Sequence, residues 1–115
     1  ADVQDMIARI VDAPEIEARL RELVKNHPQN ERAYQHLGEF FNRCQRHQEA
    51  VRAFKKGLKI KSDNAILRWD LALALQKLGK KNGAIQNIKK AIALGLEPAL
   101  QRHAQILLNI LREKR

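Results

Sequence analysis

Between Tyr34 and Ile60 the apolar and small residues fall at Tyr34, Leu37, Gly38, Phe41, Ala50, Phe54 and Gly57, with polar and charged residues filling the gaps. Steps of three and four return side chains to one face of an α-helix. The same period runs the length of the chain, and no five-residue stretch alternates as a half-buried strand would. Helix-breaking signals recur at Ala13-Pro14, Asn26-His27-Pro28-Gln29-Asn30, Arg46-His47, Ser62-Asp63-Asn64, Lys81-Asn82-Gly83 and Gly95-Leu96-Glu97-Pro98. They predict an all-α chain of about seven helices, over 2–12, 15–26, 31–44, 47–60, 64–79, 81–94 and 98–113. Connections this short place consecutive helices antiparallel and side by side.

A shift of 34 residues brings the pattern onto itself. Leu37 falls on Leu71, Gly38 on Ala72, Phe41 on Leu75, Ala50 on Ala84, Phe54 on Ile88 and Gly57 on Ala91. The turn residues Gln45 and Arg46 fall on Gly79 and Lys80, so only the later unit has a glycine there. Backwards, the pattern reaches Val3, Ile7, Ile16, Leu20 and Leu23. Each unit reads as two antiparallel helices. A small residue on the first (Gly38, Ala72) and two on the second (Ala50 and Gly57; Ala84 and Ala91) allow close approach, and Phe54 or Ile88 fills the gap. One such pair cannot bury its own apolar face, so neighbours stack into a continuous core.

On these residues the chain resembles the tetratricopeptide repeat family. The resemblance is carried by Tyr34, Leu37, Gly38, Phe41, Ala50, Phe54 and Gly57, then by Leu71, Ala72, Leu75, Ala84, Ile88 and Ala91. It covers 31–94 well and 1–30 more loosely. It implies a right-handed α-α superhelix forming one domain over 1–115: a truncated first repeat (1–30), repeats over 31–64 and 65–98, and a capping helix over 99–115. In that last helix Ala104, Leu107, Leu108 and Leu111 take packing positions. Three departures stand out. Arg68 occupies a position where the family prefers an aromatic residue, with Trp69 one place later; Ser62 replaces the usual proline; and the connection before Pro98 is two residues longer.

Composition adds a charge of +9, unevenly spread: residues 1–31 carry a net −3 and 32–115 a net +12. Such a body suits acidic partners, and equally a lysine-rich solvated surface. The single Cys44 excludes an internal disulfide and a multi-thiolate zinc site. No apolar run approaches ~18 residues and no signal-peptide pattern shows. Ala1 in place of a methionine is read as the mark of a processed or excised piece, so the compartment stays open: cytoplasmic is favoured, periplasmic if the domain is excised. No phosphate loop, nucleophile elbow or isolated carboxylate pair is found, and His27, His36, His47 and His103 form no ligand pair four apart. His36 and Cys44, eight apart, could share a helix face but read more simply as a surface histidine and a partly buried thiol. We therefore expect no enzyme, no cofactor and no metal.

The resemblance implies a different kind of function, a concave groove that holds a segment of another protein. In the family's register the groove-facing residues are Arg32, Gln35, Glu39, Asn42 and Arg43, then Ile66, Trp69, Leu73, Gln76 and Lys77. Trp69 and Leu73, four apart on one face, are expected as exposed anchors for a partner's apolar side chains, unless a neighbouring helix covers them. The Lys and Asn pattern with which some members clamp a terminal carboxylate is absent, since Gln35, Glu39, Trp69 and Leu73 stand there. Second helices carry a basic stripe of Arg52, Lys55, Lys56, Lys59, Lys89 and Lys90, with Lys61 flanking it, expected on the convex side. It offers a second reading, nucleic-acid or anionic-surface binding, against which stands the scarcity of aromatics for stacking. A third is the accessory domain of a larger enzyme or assembly factor. The arrangement DMIARI…EIEARLRELVKNHP is loosely similar to the repeat domains of bacterial cytochrome c assembly factors. Self-association through apolar Val3, Met6, Ile7 and Ile10 is a further expectation.

Overall fold

The computed structural model describes residues 13–113, so the expected helix over 2–12 and its apolar residues lie outside the described part. Six helices follow one another: α1 (Ala13–Asn26), α2 (Glu31–Arg43), α3 (His47–Ile60), α4 (Ala65–Lys77), α5 (Lys81–Leu94) and α6 (Pro98–Glu113). Three of them, α3, α5 and α6, have the bounds read from the sequence. The others differ at their ends for local reasons. Helix α1 starts two residues early because Pro14 falls in its first turn, where the missing N–H is not needed. Helix α4 starts at Ala65 because Asn64 is its N-cap, the side chain accepting the Leu67 N–H at 3.0 Å. Asn30 does the same for α2 through the Arg32 N–H at 2.9 Å.

The two corresponding turns after α2 and α4 show what the glycine does. Gly79 takes φ +76°, a conformation it adopts freely. Gln45, at the same point one unit earlier, takes φ 63° with a side chain attached. Both chains reverse alike: Arg46 N–H bonds to the Phe41 carbonyl at 2.8 Å, and Lys80 N–H to the Leu75 carbonyl at 2.9 Å.

Each helix packs on the next, and α2 also reaches α4. The core runs without a break from Leu37 and Phe41 through Ala50, Phe54, Leu71, Ala72, Leu75, Ala84, Ile88 and Ala91 to Ala104, Leu108 and Leu111. Phe54, Leu67 and Ile88 are its largest fully enclosed side chains. Gly38 faces Phe54 so closely that a methyl group there would stand 2.6 Å from its Cδ1. One expectation needs correction: Ile16 is exposed, because α1 packs chiefly on α2. On the last helix Ala104, Leu108 and Leu111 are buried as expected, while Ile106 and Ile110 are exposed one turn apart.

The departures at Arg68 and Ser62 belong together. The Arg68 guanidinium donates to the Ser62 carbonyl (3.2 and 3.1 Å) and to Asn87 Oδ1 (3.3 Å), tying the turn before α4 to α5.

Candidate partner-binding groove

First helices approach one another, α2 against α4, more than the second helices α1, α3 and α5 do. Closer spacing on one side of a stack curves it toward that side, in keeping with an expected inner face on α2 and α4. Of the residues expected there, Arg32, Ile66, Gln76 and Lys77 are exposed, and Gln35 and Glu39 are half-buried and joined by a 3.2 Å hydrogen bond from the Gln35 amide. His36 Nδ1 lies 3.8 Å from the same Glu39 carboxylate. Asn42 is occupied otherwise: its Oδ1 accepts from His47 Nδ1 at 2.8 Å, across the turn into α3. Arg43 is exposed at the end of α2.

Trp69 is not an exposed anchor. It is 7% exposed and part of the core, and Leu73 is half-buried against that core. The reason is the composition of α4. Leu67, Trp69, Leu71, Ala72, Ala74 and Leu75 point to nearly every side of it, and a helix apolar all round is one enclosed by neighbours. Ile66, 46% exposed in the first turn of α4, is the apolar groove position left in solvent.

One residue near Glu39 escaped the sequence reading. Asp70, beside Trp69, is largely shielded, and its Oδ2 is buried with no hydrogen-bond partner among the described residues. Burial, and then repulsion from Glu39, push its carboxyl up to about 7. The signal was present: between Asp63 and Glu97 it is the only acidic residue, embedded in WDLALAL.

The residues of the expected basic stripe, Arg52, Lys55, Lys56 and Lys59 on α3 and Lys89 and Lys90 on α5, are all exposed. Between α1 and α3 lies a cleft floored by α2. Beside it, Arg46 donates to Glu17 of α1 (2.5 and 3.2 Å) and to Glu49 (2.7 and 2.8 Å), and its guanidinium lies 4.6 Å from the centroid of the Phe41 ring. The Arg46 hydrogen bonds hold both carboxyls below their usual range. Arg21 adds pairs to Glu17 (2.8 Å) and Glu49 (3.6 Å). Among the described residues no group of three or more His, Cys, Asp and Glu is placed to hold a metal ion, and no helix is long and apolar enough to cross a membrane. Half-buried Cys44 caps α2 through its own N–H.

Comparison with known proteins agrees with this architecture. A family model described as tetratricopeptide repeat matches residues 31–64 and 66–94. Curated protein sequences gave no match. Among solved structures, the Yersinia enterocolitica type III secretion chaperone SycD, in complex with a peptide of the translocator YopD, superposes with a TM-score of 0.83 at 14% identity, over 92% of this chain and 84% of that one. PcrH, in complex with the chaperone-binding region of PopD, gives 0.81 at 17% identity, over 92% and 83%. MamA gives 0.78 at 21% identity, over 96% of this chain and 63% of that one.

Proposed function

The chain belongs to the tetratricopeptide repeat family, and on that premise we propose that it is a non-catalytic protein-interaction module, an adaptor or assembly scaffold whose inner groove holds an extended or helical segment of a partner protein. One observation carries the reading. Of the residues expected to line the groove, Arg32, Ile66, Gln76 and Lys77 are in solvent and take no part in the core. With Gln35 and Glu39 between them, they give a groove an apolar contact point, charges of both signs and amide groups, the means to recognise a polypeptide. Of the same fold, the chaperone SycD is seen with a peptide of the translocator YopD, and PcrH with the chaperone-binding region of PopD. That likeness supports peptide binding as a class and leaves the partner open.

The test uses the full chain as bait beside a variant carrying Ile66→Asp, Gln76→Ala and Lys77→Ala. All three side chains are exposed, and an aspartate in the first turn of α4 suits the helix dipole, so helicity is expected unchanged by circular dichroism. A groove-bound partner should be recovered at least about tenfold less well by the variant. Equal recovery of the same partner by both baits would remove the groove from the proposal.

A further inference from the structure

The cleft on the outer face has a volume of about 260 Å³, below the range of cofactor and drug-sized sites and fitting one or two amino-acid side chains. Apolar side chains lie at its floor, Val24 of α1, Leu37 of α2 and Ala53 of α3, beside the Tyr34 ring, within a surface that is more polar than apolar. Its α3 wall carries Arg52 and Lys56, four apart on one helix face. Like charges at that spacing repel, and a carboxylate between them would relieve the repulsion. Neither has an ion-pair partner among the described residues. The one acid of the cleft, Glu49, cannot serve them, because Arg46 and Arg21 already hold its carboxylate. Among the described residues, apolar side chains thus lie beneath a positive wall that no acid compensates.

We propose that this cleft is a second docking site, on the face opposite the groove, for a segment of a partner protein that carries an apolar side chain beside a carboxylate. The apolar side chain enters over Leu37 and Ala53, and the carboxylate accepts charge-assisted hydrogen bonds from Arg52 and Lys56. A nucleic acid fits less well. Of the two aromatics lining the cleft, Phe41 is 3% exposed and has the Arg46 guanidinium 4.6 Å and the Arg21 guanidinium 5.4 Å from its centroid, which leaves half-buried Tyr34 alone where single-strand binding uses successive stacking rings.

The probe is the blocked dipeptide N-acetyl-Phe-Glu-amide, titrated into the isotope-labelled full chain and followed by amide NMR, beside its Phe-Gln counterpart, inorganic phosphate and oligo-dT. Shifts should cluster at Val24, Tyr34, Arg52, Ala53 and Lys56, with the Gln dipeptide binding about tenfold more weakly. Arg52→Gln with Lys56→Gln should erase that difference at unchanged helicity, since both side chains are exposed. Four results would overturn the proposal: no shift in the cleft at millimolar dipeptide; equal binding of the Glu and Gln forms; equal shifts from phosphate or oligo-dT, which would make this an anion or nucleic-acid surface; or concentration-dependent shifts without any probe, which would give the cleft to a second copy of the chain. The groove variant Ile66→Asp should bind the dipeptide as the parent does, which keeps this site separable from the groove.

Discussion

Replacing Phe54 by alanine is expected to destabilise the protein by about 3–5 kcal/mol, the loss typical of a fully enclosed aromatic ring. Phe54 is 0% exposed and stands where the two helices of its unit meet. The ring belongs to a pair of positions, because Gly38 on the facing helix has no side chain to collide with it. Gly38→Ala alone should cost about 1–3 kcal/mol, since the ring must leave its rotamer or the helices must part. In the Phe54→Ala background the same change should cost nothing, or gain up to about 1 kcal/mol from helix propensity, as the added methyl enters the vacated space. Urea unfolding of the four proteins of this cycle measures the coupling. Additive effects would show that the close approach at Gly38 does not depend on the ring.

Asp70→Asn should act in the opposite direction and only above acidic pH. A carboxyl with a folded-state pKa of about 7, against an ordinary value near 3.8, holds its proton more tightly in the folded protein. The penalty for ionising it is absent below about pH 4, grows as pH rises, and is complete above about 7. Asparagine keeps the shape and cannot ionise. The variant should therefore match the parent at pH 4 and exceed it at pH 8 by about 2–4 kcal/mol, the upper end being the whole shift at ~1.4 kcal/mol per pH unit. In thermal melts this corresponds to a rise in Tm of roughly 10 °C at pH 8. Glu39→Gln should give a smaller gain over the same range, because repulsion from Glu39 is the lesser of the two causes. A parent whose stability is flat between pH 4 and 8 would refute this account of Asp70.

What could be read from sequence follows from what repeats in it. The 34-residue self-similarity fixed the helix order and the contacts of Leu37, Phe41, Phe54, Leu71, Leu75 and Ile88, since each was constrained twice by one spacing. The repeat register could not decide Trp69. A register assigns a residue to a face, whereas burial depends on how many neighbours the helix has, and α4 lies among α2, α3 and α5. Asp70 was overlooked for the same reason, as the register position that holds exposed His36 one unit earlier is here closed over by its surroundings. Arg68 shows the converse. As a departure from the family pattern it was legible, but its part in joining Ser62 to Asn87 needed three elements in place at once.

The Arg46 cluster has a consequence for how the stack comes apart. None of the described side chains of α1 is fully buried; Leu20 and Val24 are only partly covered, and Glu17 adds its ion pair to Arg46. Half-exposed ion pairs weaken as salt rises, while the apolar contacts among α2 to α5 do not. Ionic strength thus acts first on α1. In hydrogen-exchange measurements the amides of α1 should exchange faster with added salt while those of α4 keep their protection, so that unfolding proceeds as an unzipping with α1 as its lowest-energy opening unit.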